Sequence, residues 1–587
     1  MMPAWIILAI AAIWYVGFYF TYGKFLERRV AQASDKNLTP AHTKFDGIDY
    51  VPANRAILYG HHVGAIAGTG PIVGPTLAMA WGWLPALLWI LIANAVIGAV
   101  HDYLALMASV RYEGRSIAVV SERVISSRMR YVFSWYIFFA LILIIAAFTI
   151  FDAQLFLVRP QVATAILFFM PIAIFVGVLI YKFLLPLRWA LLIGLSFIVV
   201  AIFLGYNVPL VIKDYYVWVT LLLIYGWLAG WLPLWYLLQP RDFMNIYILW
   251  AGVIIGAVAL IASLATIKIP PVTSFTQILV GYKPSPIWPT IVLVIACGAL
   301  SGFHSLVASG TSARQLNSEL DALLIGYGGM FTEGIVALTV ALTVATTLPQ
   351  SFSMLSSVTS WPAGVPKNMY TFVIANTLGA FTQGYGILLH NAFGIDIIYG
   401  AIFAGLWFAT FDFAVLDTAN RLARWTWTDI LEPLRTRTPK LFEALNNRYF
   451  ASLIPLIIAG SLAYTGTIAY VWPAFSGANQ LLAALALLTT SSWVMFVLKR
   501  PRKASLAILI PALFLWVTVT TALFWYVIVV SYPTFIAGLQ KHIFTTMYSG
   551  LALTIIASIL IILDLYMMAE FINYAIKRRG EVVAAKK

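Results

Sequence analysis

The chain has 587 residues, 62% of them hydrophobic and 10% charged, with a mean hydropathy of +0.91. A soluble domain carries roughly 25% charged residues, so this composition excludes an ordinary soluble enzyme, a disordered chain and a nucleic-acid binder. The 36 Lys and Arg against 22 Asp and Glu give a formal charge of +14, an excess that in a membrane protein reports topology rather than an anionic partner. The single cysteine, Cys297, excludes an intramolecular disulfide, and no Cys-based zinc or iron–sulfur site is expected.

In chain order, the first apolar segment is 4–22, and its basic cluster Lys24, Arg28 and Arg29 follows it. A cleavable signal has the reverse order, so the segment reads as a first transmembrane helix. Windows of about 20 apolar residues give further spans near 55–80, 84–110, 131–151, 161–181, 188–205, 216–238, 244–267, 289–310, 325–347, 397–417, 450–470, 479–499, 504–531 and 547–573, fifteen in all. Segment 370–392 is long enough to span but carries Asn376, Thr377, Gln383 and His390. Leaving it out gathers 30 basic residues on one side and 6 on the other, the asymmetry expected of cytoplasmic loops. The reading is an all-α polytopic protein of the cell membrane, N-terminus out and C-terminus in. Segment 370–392 is then a non-spanning outer or re-entrant helix, buried in protein.

Parity suggests a repeat. The span at 55–80 starts inside, and the one at 216–238, five spans later, starts outside. Residues 55–205 and 216–417 therefore read as two five-helix units of an inverted repeat. An extra helix and cytoplasmic loop precede them (1–54), four more helices follow (450–573), and 574–587 is a cytoplasmic tail. Both first helices carry breakers: Gly64, Gly68, Gly70, Pro71, Gly74 and Pro75 in one, and Gly226, Gly230 and Pro233 in the other. Unwound segments are predicted at 68–71 and 226–233. Paired broken helices point to a midplane substrate site, which makes Gly68, Thr69, Gly70, Gly226, Trp227 and Gly230 the substrate-binding candidates.

Ionisable residues inside a bilayer default to function. At 1.5 Å per residue, His61 and His62 lie roughly 10 Å from the inner end of their span, His101 and Asp102 roughly 12–14 Å, His304 roughly 9 Å, Glu333 roughly 12 Å and Asp412 roughly 8 Å. We assign His61, His62, His101, Asp102, His304 and Glu333 to a coupling or inner-gate layer. The span around 296–311 is rich in hydroxyls, and hard cations prefer oxygen ligands; Ala65, Gly68, Ser301 and Ser305 are the cation-binding candidates. A divalent metal site made of the same groups stays open but no spacing motivates it, and none is assigned, because His61 and His62 are neighbours about 100° apart on a helix.

Longer motifs follow: FDGIDYVPANRAILYGHHVGAIAGTGPIVGP (45–75), GAVHDYLALMASVR (98–111), LQPRDF (238–243), IACGALSGFHSLVASGTSAR (295–314), NSELDALLIGYGGMFTE (317–333), LDTANRLARW (416–425) and WPAFSGANQLLAALAL (472–487). Through these motifs the chain resembles, over nearly its whole length, the carbon starvation protein A family of peptide and pyruvate transporters. It departs from the family pattern at His101, usually Gln, at TSAR (311–314) and at LDTANR (416–421). The resemblance implies the architecture of the amino-acid–polyamine–cation superfamily, a LeuT-type five-plus-five inverted-repeat core. It also implies uptake of short peptides, or of pyruvate, driven by a proton or sodium gradient, with no cofactor and with only small-molecule substrate and membrane lipid as partners. A substrate carboxylate would suit the helix ends near Gly68, Thr69 and Gly70, where free N–H groups favour negative charge.

The alternative class is a proton-translocating or haem-binding redox subunit. No Lys occurs at mid-span, whereas His62 with His304 leaves a bis-histidine haem open. A membrane enzyme lacks a nucleophile–base pair, since Ser305 and His304 are neighbours that point apart. Paired broken helices favour alternating access over a channel.

Overall fold

In lipid an apolar segment has no hydrogen-bond partner but itself, so long apolar runs fold as helices. The computed structural model describes residues 2–47, 49–232, 238–362 and 364–584. Among them are twelve continuous helices long and apolar enough to cross a membrane, and these coincide with twelve of the fifteen predicted spans. The described strands are one short hairpin, Thr276–Ile278 with Pro284–Pro286.

The other three predicted spans take different forms. Residues 55–80 form a bent pair, Arg55–Ile66 and Gly70–Trp81, turned by 49°. Residues 216–238 give a shorter helix, Tyr215–Trp231, of 17 residues. Residues 289–310 are not one helix: Ile287–Val294 is followed by non-helical residues 295–302 and then by helical residues 303–315. A second bent pair, Met369–Ala375 and Thr377–Phe393, turns by 111°. At that corner Asn376 Oδ1 accepts the Gly379 N–H at 3.0 Å and caps the second arm.

Two helices overrun their predicted ends. Ser127–Val158 continues past residue 151 and carries Asp152 into the interior. Ile397–Leu431 has 35 residues, about 52 Å of helix, so the predicted basic loop 420–449 begins as helix.

Burial sorts the helices. The most apolar windows of Glu319–Leu355, Ser127–Val158 and Ile468–Val497 are 94%, 83% and 83% buried, against 22% for Ala4–Ala31 and 29% for Arg188–Asn207. The first three make the centre. The last two present Ile13, Phe20, Val199 and Phe203 outward, as a lipid-facing rim does. The motifs LQPRDF and LDTANR meet in space: Arg241 pairs with Asp417, both wholly buried, and Tyr225 Oη donates to Asp417 Oδ2 at 3.1 Å.

Candidate functional site at the crossing of two broken helices

The first break follows from composition. Pro71 and Pro75 have no N–H to offer the preceding turn, and glycine lowers helix propensity around them. The helix stops at Ile66, and Ala67 leaves helical geometry (φ −78°, ψ 64°). The Gly68 N–H then turns back to the Ile66 carbonyl at 2.8 Å. The second half starts at Gly70, with the Thr69 carbonyl accepting from Ile72 and Val73 at 3.0 Å each. The break lies at 67–69, one residue ahead of the predicted 68–71.

Among the described residues no break falls at 226–231. Helix Tyr215–Trp231 runs unbroken through Gly226 and Gly230, and Pro233 lies outside the described residues. The second break is at 295–302. Gly298 sits there at φ +78°, a conformation glycine adopts without steric cost. Unpaired backbone groups in an apolar interior are expensive, and helix Ile468–Val497 satisfies these. Asn479 Nδ2 donates to the Ala296 carbonyl at 3.0 Å, while Asn479 Oδ1 accepts the Phe303 N–H at 2.9 Å. Gln480 Nε2 donates to the Ile295 carbonyl, and Trp472 Nε1 donates to that of Val294 at 2.9 Å. From the other side Asn94 Nδ2 holds the Gly298 carbonyl at 2.8 Å. A helix assigned to a region outside the core is thus part of the central structure.

The two broken spans cross in opposite senses. The second half of the first packs on the first half of the second, and the remaining halves pack on each other. The approach is close enough to require glycine. A Cβ at Gly70 would lie 2.5 Å from Cys297 Sγ, and one at Gly74 would lie 2.8 Å from the Ile295 Cα.

Two polar clusters flank the crossing. In the first, Thr69 Oγ1 donates to Asp412 Oδ1, and Asp152 faces Asp412 across the same point. All three residues are wholly buried. No donor among the described residues reaches Asp152 Oδ1, Asp152 Oδ2 or Asp412 Oδ2 in hydrogen-bond geometry. Two carboxyl groups so placed would repel each other if both were ionised.

The second cluster gathers four of the six residues assigned to the coupling layer. His101 Nδ1 lies 2.7 Å from Asp102 Oδ1, and His304 Nδ1 lies 2.9 Å from Asp102 Oδ2. His304 Nε2 lies 3.5 Å from Glu333 Oε2. Cys297 joins them, its Sγ within 4.8 Å of a His304 nitrogen and a Glu333 oxygen. The other two residues stand apart: His62 Nδ1 bonds Ser312 Oγ at 2.8 Å, and His61, partly exposed, lies towards Asp242. His62 and His304 thus hold separate partners through Nδ1, while the Nε2 of each has no hydrogen bond of good geometry among the described residues.

Other predicted site residues fall elsewhere. Gly226 and Gly230 pack on Asn420, and partly exposed Trp227 donates to the Tyr449 carbonyl at 3.0 Å, so this trio belongs to a packing surface. The hydroxyls proposed for a cation each hold a partner within the protein. Ser301 Oγ accepts from Asn479 Nδ2 at 3.0 Å, and Ser305 Oγ donates to the Gly302 carbonyl at 2.7 Å. Ala65 is only partly buried, and Gly68 packs on Val415 and Phe148. Sequence reasoning missed Asp152, Cys297, Asn94 and Asn479 as site residues. A narrow apolar cleft opens above the crossing, lined by Leu77, Phe151, Leu293, Ile374, Thr377 and Trp472.

With this geometry in place, the relatives can be set beside it. Residues 3–522 match the family described as carbon starvation protein CstA, and the chain belongs to that family. It is 31% identical to the peptide transporter CstA of Bacillus subtilis over 87% of this chain and 88% of the relative. The peptide transporter CstA of Campylobacter jejuni is 30% identical over 92% of this chain and 80% of its own. The pyruvate/proton symporter BtsT of Escherichia coli is 29% identical over 88% and 81%. Among solved structures, a manganese transporter of Eremococcus coleocola aligns over 90% of this chain and 97% of its own at 13% identity, with a TM-score of 0.45, too low to equate the two folds.

Proposed function

We propose that this chain is a proton-coupled secondary transporter of the cell membrane that imports a small carboxylate-bearing solute, short peptides or pyruvate, by alternating access. Membership of the CstA family and the names of its relatives supply the substrate class. The observation that carries the mechanism is the placement of Thr69, inside the first break, on the buried Asp412–Asp152 pair. A helix break supplies unpaired backbone groups for a substrate. A carboxylate pair beside it supplies a place for a cation whose occupancy the substrate senses.

The proton is favoured over sodium because the groups gathered at the crossing include carboxyls and imidazoles, which exchange protons, and because one relative is named a pyruvate/proton symporter. The substrate carboxylate is received at the start of the second half-helix, around Thr69 and Gly70, where the dipole and free N–H groups favour it. That point is wholly buried under Cys297, Val415 and Phe148, so the conformation described is closed there and binding requires the broken spans to part. His101, Asp102, His304 and Glu333 form the inner polar layer that joins the spans when they close.

The crossing supports an inverted repeat that pairs 55–111 with 287–355, which moves the start of the second unit from 216 to 287. Among the described residues five long spans and the shorter Tyr215–Trp231 stand between these starts; if all six cross the membrane, the two broken spans run in opposite directions, as the amino-acid–polyamine–cation architecture requires. The bent segment 369–393 is read as re-entrant. The basic asymmetry keeps the N-terminus out and the C-terminus in. The test is uptake of labelled pyruvate, dipeptide and tripeptide into proteoliposomes under an imposed proton or sodium gradient. Accumulation with the proton gradient alone is expected; accumulation with sodium alone would overturn the choice of ion.

A further inference from the structure

We propose that Cys297, His304 and Glu333 form a binding site for one divalent transition-metal ion of the zinc class, set against the crossing of the two broken spans.

The geometry comes first. The thiol, an imidazole nitrogen and a carboxylate oxygen lie within 4.8 Å of one another. Ligand bonds of about 2.0–2.3 Å in a tetrahedron put neighbouring ligand atoms roughly 3.3–3.8 Å apart. His304 Nε2 and Glu333 Oε2 are already at 3.5 Å, so only the sulfur needs a small inward shift. His304 and Glu333 are wholly buried, and no hydrogen bond of good geometry reaches His304 Nε2 or either Glu333 oxygen. Glu333 faces His304 and the Gly298 backbone, and a divalent ion between imidazole and carboxylate would take both at ligand distance.

The surroundings have the form of a metal site's outer shell. His304 presents Nε2 because its Nδ1 is held by Asp102 at 2.9 Å, and Asp102 is held in turn by His101 at 2.7 Å. A carboxylate behind a ligating histidine fixes the ring and raises its basicity. Asn479 Nδ2 approaches Cys297 Sγ at 3.6 Å. Gly298, at φ +78°, turns the chain beside Cys297. A thiolate with an imidazole and a carboxylate selects borderline ions such as Zn²⁺ over Mg²⁺ or Ca²⁺, which take oxygen. Three protein ligands leave a fourth position open. The assignment does not depend on the transport reading.

The test uses the full-length chain, purified in detergent without an affinity tag, treated with chelator and titrated with Co²⁺. Because Cys297 is the chain's single cysteine, a thiolate-to-cobalt charge-transfer band in the wild-type protein can arise only there, whatever becomes of the variants. We expect that band to saturate at one Co²⁺ per chain, to be displaced by Zn²⁺, and to vanish in Cys297→Ser. His304→Gln should weaken binding at least about tenfold, the loss typical for a metal site's histidine shell. A folded wild-type protein that shows no charge-transfer band, and no zinc after growth in zinc-supplemented medium, would overturn the proposal. It would leave Asp102, His304 and Glu333 as a hydrogen-bonded chain with Cys297 as packing.

Discussion

Thr69, in the three-residue gap of the first broken helix, donates its hydroxyl to Asp412 on helix Ile397–Leu431. The bond ties an interrupted helix to a carboxylate whose other neighbour is Asp152. On the proposed alternating access, parting the broken spans would change the carboxylate pair, and occupying the pair would bias the parting. Hydrogen bonds to charged groups are worth about 1.5–3 kcal/mol. Thr69→Val should accordingly weaken coupling about ten- to hundredfold, while Thr69→Ser keeps it. Asp412→Asn or Asp152→Asn should abolish gradient-driven accumulation and preserve substrate exchange across the membrane. Loss of exchange together with accumulation in both variants, from folded protein, would mean the pair is structural.

Asn479 is predicted to be a stability residue of the core. It serves the Ala296 carbonyl, the Phe303 N–H and Ser301 at once. Each buried group left unpaired costs about 1–3 kcal/mol. Asn479→Ala should lower the thermal midpoint in detergent markedly. Asn479→Asp should not rescue it, because a carboxylate cannot donate to Ala296. An unchanged melting curve for either variant would remove the account of how the second break is held.

Gly70 and Gly74 set the approach of the two broken spans. A methyl at Gly74 would stand 2.8 Å from Ile295 Cα and 3.0 Å from the Val294 carbonyl oxygen, both backbone atoms. Backbone cannot rotate away as a side chain does, so Gly74→Ala should cost about 1–3 kcal/mol and slow transport. Gly17→Ala, whose Cβ meets nothing within 4 Å, is the control and should do neither.

The Arg241–Asp417 pair is buried on both sides. Removing one partner of such a pair costs about 3–5 kcal/mol, whereas an apolar replacement of both is often neutral. Asp417→Asn should destabilise the protein, and Arg241→Met with Asp417→Leu should recover most of the loss. Equal melting temperatures for the single and double variants would show that Asp242 and Tyr225 already carry the arginine.

The sequence was legible where its signal was local. Gly and Pro density located the first break to within a residue, and hydropathy placed the long continuous spans. The second break was hidden because ACGALSGF carries no proline and keeps its apolar character, so it reads as an ordinary span. What unwinds it is tertiary: the amides of Asn94, Asn479 and Gln480 replace its lost helical hydrogen bonds. An Asn–Gln pair in the middle of an apolar helix was the one available hint. Asp152 was missed because the apolar window ended at 151, which left it at a helix end, while the helix continues to Val158. Cys297, the single cysteine, was set aside both as a disulfide partner and as a metal ligand. Its neighbours His304 and Glu333 come from positions that no spacing rule connects. The residues of 226–230 misled because glycine in a membrane helix also marks close packing, here against Asn420.

The most direct test of proton coupling at the broken-helix crossing is proton movement itself. Proteoliposomes carrying a pH-sensitive dye in the lumen, with no ion gradient imposed, would receive an inward gradient of pyruvate or of a dipeptide. The account predicts acidification of the lumen that begins with substrate, persists without sodium, and disappears in Asp412→Asn while labelled substrate still exchanges. Substrate entry through the wild-type protein with no change in luminal pH would contradict it.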